Sequence, residues 1–399
     1  MKKRIIAIFL SVLMIVGFMP TSQAVGFTYD NQVEVMYVGD IETGESYYKK
    51  QDTRVLPVAS MSKLMTYLVA MDAVKAGKIS LNDIVEINEE AASYNIPGYS
   101  RFDLVKGEKV SLENLLKGVL VVSGNDASTA VAIHVAGSVP EFVKLMNSKA
   151  KELGLSNSNF VNPTGLTITK GPKPQMNTMS AQDLFTLGRH IVKTYPEVEE
   201  YGKMDKLNIP ERKFSKPSTL PLRNEMKGLM GLKTGYTEEA GYCFTGLFDL
   251  SKEENGFDVK IITVVMGADN EEMRAKTTQE LVQYVTNNFV LSKQLNPDVP
   301  VVDITDESTE QVNIPLYPER SFEKILPLNT EIEMEYEVLE GKSAPYEDGE
   351  VMGKLVLKLD GKEIDNMNLI SKGFIPKEGF FTNIFRSIQE FFDNILLLI

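Results

Sequence analysis

Pro57-Val58-Ala59-Ser60-Met61-Ser62-Lys63-Leu64-Met65-Thr66-Tyr67 is the stretch on which the reading of this chain turns. Leu64, Met65, Leu68, Met71 and Val74 recur at three- and four-residue steps, so the chain from Ser60 onward reads as a helix that stops near Gly77. Pro57 has no amide hydrogen to give a strand ladder and turns the chain just ahead of that helix. Ser60 then falls in the first turn, with Lys63 three residues on and on the same face. A serine hydroxyl is a poor nucleophile until a base takes its proton. A lysine amine becomes that base once burial or a neighbouring cation lowers its pKa. The helix N-terminus also favours negative charge developing on the serine oxygen.

The Ser-x-x-Lys spacing is loose by itself, because Ser46/Lys49, Ser148/Lys151 and Ser321/Lys324 share it. Those three read as a hairpin strand, a surface helix and a late linker. Two further motifs narrow the reading. Ser123-Gly124-Asn125 falls between two helical patterns, and Lys233-Thr234-Gly235, which occurs once, precedes a strand. Ser-x-Asn is weak alone, since Ser80-Leu81-Asn82 and Ser93-Tyr94-Asn95 match it. The three motifs in this order, each at the end of an element, form the signature of penicillin-binding proteins and class A β-lactamases.

Size and composition set bounds on the rest. A chain of 399 residues, 43% hydrophobic and 24% charged, is globular with a sizeable core and long enough for two folded units. Its net charge is −13, and losing Lys2, Lys3 and Arg4 with a leader makes it more negative still. Such an acidic chain excludes nucleic-acid binding. Cys243 is the only cysteine, so no internal disulfide forms; within Tyr242-Cys243-Phe244 it reads as a small strand residue facing the core. His134 and His190 sit in helical patterns as structural residues, and neither has the spacing of a His-Glu-x-x-His zinc helix. No metal or other cofactor is called for.

Taken in order, residues 1–24 read as a secretory signal peptide: Lys2-Lys3-Arg4, the apolar run Ile5 to Phe18, and Ser22-Gln23-Ala24. Val33 to Val38 and Ser46 to Lys50 read as a hairpin. Ser111 caps a helix carrying Leu112, Leu115, Leu116, Val119 and Leu120; helices from Asp126 to Gly137 and about Pro140 to Leu153 follow. Ser180-Ala181-Gln182-Asp183 has capping-box spacing ahead of Leu184, Leu187 and Ile191. Strands Gly241 to Phe248 and Val259 to Met266 precede a last helix, about Glu271 to Phe289. Hairpins at both ends with helices between them predict an α+β fold, an antiparallel sheet covered by helices, over residues 25–295.

Asn296-Pro297-Asp298-Val299-Pro300 reads as a linker to a small β domain over 300–372. There Ile332, Met334, Tyr336 and Val338 alternate with Glu331, Glu333, Glu335 and Glu337, a strand with one wet face, and a tight hairpin forms around Asp360-Gly361. The stretch 373–399 reads as an amphipathic helix. Phe380, Phe381, Ile384, Phe385, Ile388, Phe391, Phe392, Ile395 and Leu396 share one face, which fits a helix lying in a membrane interface.

Pro57 to Lys63, Leu120-Val121-Val122-Ser123-Gly124-Asn125-Asp126-Ala127 and Gly231-Leu232-Lys233-Thr234-Gly235-Tyr236-Thr237 resemble the D-alanyl-D-alanine carboxypeptidases among the low-molecular-mass penicillin-binding proteins. The resemblance runs over nearly the whole chain, β domain and terminal helix included, and implies a penicillin-binding/β-lactamase-like fold for the first domain. It implies that Ser60 attacks the D-Ala-D-Ala bond of the peptidoglycan stem peptide, with Lys63 as base. It implies that Ser123 relays a proton to the leaving amine and that Asn125 holds Lys63 and the substrate amide. Lys233 and Thr234 would take the terminal carboxylate, Gly235 would leave room for the substrate backbone, and the N–H groups of Ser60 and Tyr236 would form an oxyanion hole. Arg274, spaced from Met266-Gly267 as the family's carboxylate-binding arginine is, completes the set. β-Lactam antibiotics are the implied covalent inhibitors. Met230 departs from the pattern, standing where the family usually has Asp, and the chain from Asn224 to Gly231 is short. Two alternatives differ in class. A class A β-lactamase needs a Glu-x-x-Leu-Asn pattern, which the sequence lacks, and a sensor that binds muropeptide without turnover would still be acylated at Ser60.

Overall fold

The computed structural model describes residues 26–220, 226–254, 256–339, 341–379 and Ile388. The expected leader at 1–24, residues 221–225 of the short loop, and the stretch from Phe380 onward that the sequence reads as a helix (Ile388 apart) lie outside the described residues.

The N-terminal hairpin joins β1 (Val33–Asp40) to β2 (Ser46–Lys50). Asp40 closes its turn, accepting from the Thr43 N–H and the Tyr47 hydroxyl at 2.8 Å each. A short β3 (Leu56–Pro57) leads to α1 (Lys63–Lys75), followed by β4 (Ile84–Glu86), α2 (Glu89–Ala92) and β5 (Lys109–Ser111). Ser111 caps α3 (Leu112–Leu120) as its sequence predicts, accepting from Asn114 N–H. Then come α4 (Asn125–Ala136), stopped by left-handed Gly137, and α5 (Val139–Glu152). β6 (Thr178–Met179) pairs with β3, Ser180 caps α6 (Ala181–Thr194), and α7 (Val198–Gly202) precedes the hairpin β7 (Lys206–Ile209) and β8 (Phe214–Pro217). Strands β9 (Leu229–Thr237), β10 (Gly241–Asp249) and β11 (Lys260–Ala268) lead to α8 (Glu271–Asn288).

β1 pairs antiparallel with β11, Val35 opposite Met266, so both ends of the domain meet in one sheet of order β2-β1-β11-β10-β9. Alternation along β1 divides the core. Val35 and Tyr37 face the α1 side, whereas Met36 and Val38 face α8 with Phe244, Phe248, Leu281 and Val285. The result is a sheet with helices on both faces. α1 departs from its sequence reading, which gives it one apolar stripe. It is buried on every side from Lys63 to Met71, because α3, α4, α5 and α6 surround it.

Beyond α8, β12 (Phe289–Gln294) begins at once, at the residue where the sequence reads the helix end and ahead of the linker at Asn296. The small domain adds β13 (Val302–Thr305), β14 (Asn313–Pro318), β15 (Phe322–Pro327), β16 (Glu333–Val338), β17 (Val351–Leu359) and β18 (Lys362–Ser371). Its sheet runs β13-β14-β18-β17-β16, while β12 and β15 form a separate pair. The alternation in β16 gives a strand, but all six of its residues are exposed. As the edge strand it adds nothing to a core built from Ile314, Leu316, Leu355, Leu357, Met367 and Leu369. Residues 373–379 are extended, with Ile375 bridged to Tyr346 and Lys377 to Thr309, so no helix starts at 373.

Candidate active site

Ser60 lies in a 3-10 turn, Ala59–Ser62, ahead of α1 and not in the helix itself. Ala59 takes a left-handed backbone (φ 45°), and Ser62 Oγ donates back to the Ala59 carbonyl at 2.8 Å. Two glycines clamp this turn. A Cβ on Gly165 would lie 1.9 Å from Ala59 O, and one on Gly235 would lie 2.9 Å from Val58 O. Gly235 is therefore required first by the close approach of β9 to the Ser60 turn, a constraint separate from the room expected for a substrate backbone.

Lys63 is wholly buried, and its Nζ lies 2.8 Å from Ser60 Oγ, 2.8 Å from Asn125 Oδ1 and 2.5 Å from the Thr164 carbonyl. Asn125 Oδ1 and Thr164 O can only accept, whereas the Ser60 hydroxyl can also donate. A neutral amine satisfies all three partners by giving two hydrogens and turning its lone pair to the hydroxyl. Burial pushes the Lys63 amine well below its usual range, Lys233 pushes it further, and Asp126 opposes them. Lys233 is itself buried and lowered to about 7, by burial and then by Arg274. Its Nζ donates to the Thr234 carbonyl at 3.0 Å.

Ser123 turns the corner between α3 and α4 in a left-handed conformation (φ 59°), buried, two residues before Asn125. Lys233-Thr234-Gly235 lies inside β9 and not ahead of a strand. β9 is an outer strand of the sheet, and its second edge has no strand partner among the described residues. An extended peptide can add to such an edge. Thr234 Oγ1 donates to Thr219 O at 3.2 Å. Tyr236 is half exposed and packs on Tyr242, ring centroids 4.4 Å apart. Arg274 is buried on the inner side of α8, with Glu271 at 2.6 Å and the Tyr242 ring at 5.7 Å.

The sequence reading missed the Thr164 carbonyl. Asn162-Pro163-Thr164-Gly165-Leu166 stands out as family-like, but any residue supplies a carbonyl, so only the fold reveals this contact. Asn162 Oδ1 shapes the loop by accepting from Thr164 N and Gly165 N, and Thr66 ties Pro163 O to α1 at 2.7 Å. Cys243 is buried, and burial pushes its thiol up to about 11, a structural residue as its sequence suggests. His134 pairs with Asp83 at 3.1 Å. The remaining Ser-x-x-Lys tetrads fall on β2, on α5 and at the start of β15, where Lys324 is tied to Glu45 at 2.8 Å.

The family profile described as D-alanyl-D-alanine carboxypeptidase matches residues 27–270. The chain belongs to that family. A second profile, the C-terminal domain of penicillin-binding protein 5, matches residues 291–377 of the enzyme. D-alanyl-D-alanine carboxypeptidase DacF of Bacillus subtilis is 32% identical over 355 residues, 88% of this chain and 87% of the relative. DacA of Haemophilus influenzae is 33% identical over 334 residues, covering 83% and 81%. Among solved structures, penicillin-binding protein 5 from Haemophilus influenzae superposes with TM-score 0.66 at 29% identity, covering 87% of this chain and 98% of that one. Penicillin-binding protein D2 from Listeria monocytogenes, solved in a cefotaxime-bound form, gives 0.56 at 29% identity, covering 63% and 96%. The fold expected from the sequence, a penicillin-binding α+β domain followed by a small β domain, is the one these comparisons give.

Proposed function

We propose that this enzyme removes the terminal D-alanine from peptidoglycan stem peptides through an acyl-enzyme on Ser60. The observation that carries the mechanism is the buried Lys63 amine, 2.8 Å from Ser60 Oγ and, among the described residues, in contact with no carboxylate. Ser60 Oγ attacks the carbonyl carbon of the penultimate D-alanine as its proton passes to Lys63 Nζ. The N–H groups of Ser60 and Tyr236 hold the oxyanion, a contribution of about 3–4 kcal/mol per donor in serine hydrolases. Ser123 relays a proton to the departing amine, the C–N bond breaks, and water then hydrolyses the ester. Lys233, Thr234 and Arg274 receive the substrate's carboxylate, the substrate lying along the edge of β9 beside Gly235, and Asn125 holds its amide. A β-lactam carries a carboxylate beside a strained amide and enters by the same steps. The test is the purified mature enzyme with a pentapeptide ending in D-Ala-D-Ala, followed by mass spectrometry with labelled penicillin. Free D-alanine and a stable adduct on the Ser60 peptide are expected. Acylation without D-alanine release would leave only a binding protein, and rapid penicillin turnover would indicate a lactamase.

The same proposal places the enzyme outside the cytoplasmic membrane, exported by its leader and held at the surface by the amphipathic stretch Phe380 to Ile399. Among the described residues no helix is long and apolar enough to cross a membrane. A large apolar face with few basic residues opposite it binds the interface mainly by burial of apolar area. Deleting Phe380 to Ile399 is expected to move the enzyme from vesicle-bound to free in a flotation assay. A full-length mature form that stays free of vesicles would defeat the anchor.

A further inference from the structure

The strongest polar construction not used by the mechanism lies behind the Ser123-Gly124-Asn125 corner. Asp126 is wholly buried at the start of α4. Its Oδ1 accepts from Phe102 N at 2.7 Å and Ala127 N at 2.9 Å, and its Oδ2 accepts from Leu104 N at 2.9 Å. Asp103, between the two loop donors, is left-handed (φ 57°), so the chain curls around the carboxylate as a nest of N–H groups. The same loop touches the site again where Asn125 N donates to Ser100 O at 3.0 Å. Gly124 makes room for this crossing, since a Cβ there would stand 3.0 Å from Asp126 Oδ1 and 3.0 Å from Phe102 Cβ. On its outer side the loop is gripped by the β7–β8 hairpin: Arg212 reaches Phe102 O, and Lys216 reaches Arg101 O and Asp103.

We propose that Asp126 is a positioning residue for the Ser60–Lys63 pair: its buried carboxylate, bound by the N–H groups of Phe102 and Leu104, fixes the first turn of α4 so that Asn125 meets Lys63. The inference rests on Lys63 being the base. Asp126 makes no contact with Ser60, and it acts through Asn125 and through its charge. The charged groups that face Lys63 are Lys233 from β9, which lowers its basicity, and Asp126 from α4, which raises it. Arg274 from α8 enters only through Lys233. Asp126 therefore keeps the amine basic enough to accept a proton while burial and Lys233 keep it neutral. A base made too weak transfers protons slowly even though more of it is free.

The test is the rate of acylation by a fluorescent penicillin, measured on the mature full chain from mildly acidic to alkaline pH. Asp126→Asn is expected to slow acylation about tenfold on the alkaline plateau. The deficit shrinks as the pH falls, because the weaker amine of the variant stays unprotonated longer. A rate equal to wild type, or a deficit identical at every pH, would overturn the proposal, the latter because loosened packing alone has no such pH signature. Asp126→Glu keeps the charge and displaces it, so a loss of about threefold with a wild-type pH profile is expected, and no loss would overturn the staple. A wild-type chain that penicillin does not modify at Ser60 would overturn the reading of the site itself, and so the two failures are distinct.

Discussion

Ser60→Ala and Lys63→Ala are each expected to abolish labelling by penicillin, by about a thousandfold or more, while Ser148→Ala and Ser321→Ala leave it unchanged. The four tetrads are alike in sequence and unlike in surroundings. Only Lys63 is buried with its Nζ against a serine hydroxyl, an amide oxygen and a carbonyl, with a second buried lysine depressing its basicity. Lys324 is held by Glu45, and Lys151 lies on the exposed side of α5. In the proposed mechanism nucleophile and base act as one unit, so removing either is expected to cost nearly the whole rate of acylation. Because Lys63, as the proposed base, acts in its neutral form, labelling by the wild type is expected to fall as acid protonates it. Stopped-flow labelling against pH checks the direction. Undiminished labelling of the Lys63 variant would transfer the base to another group.

Lys233→Met is expected to raise thermal stability while removing most acylation. Lys233 is buried beside Lys63 and Arg274, and its ammonium is disfavoured in the folded state, where its pKa falls from 10.5 to about 7. The unfolded chain therefore binds the proton more tightly between those values. Stability contributed by this group is present above the unfolded pKa and is lost as pH falls toward 7. A methionine of similar reach avoids that cost, worth up to about 4 kcal/mol near neutral pH. The gain is expected to be largest in mild acid and to vanish as pH approaches the free lysine value. Acylation is expected to suffer because, in the proposed mechanism, Lys233 presents the positive charge to the incoming carboxylate. Melting curves of both proteins across pH, paired with labelling, check the two halves, and a variant less stable in acid than wild type would refute the first. Such a trade of stability for function is common where like charges are gathered in an active site.

Much of this enzyme is legible in one dimension because local rules suffice there. The caps Ser111 and Ser180 and the hairpin at Asp40 rest on side chains that bond to nearby backbone, and the stop at Gly137 rests on a left-handed φ that glycine takes freely, so spacing and residue type reveal them. The three motifs fix the chemistry because their residue types are the chemistry, and the family follows from them. The burial of α1 on every side was not legible, because a stripe of apolar residues does not say how many partners surround it. The exposure of β16 was not legible either, since an alternating strand reads the same at an edge as over a core. Only the tertiary structure decided that, of the four tetrad lysines, Lys63 is the one stripped of water. Its three contacts come from sequence separations of 3, 62 and 101 residues, and no local pattern records such a convergence. The sequence determined which groups could react. The packing of Gly165 and Gly235 against the Ser60 turn, and the burial of neighbouring cations, decided which of them do, because desolvation and close approach are properties of the folded chain alone.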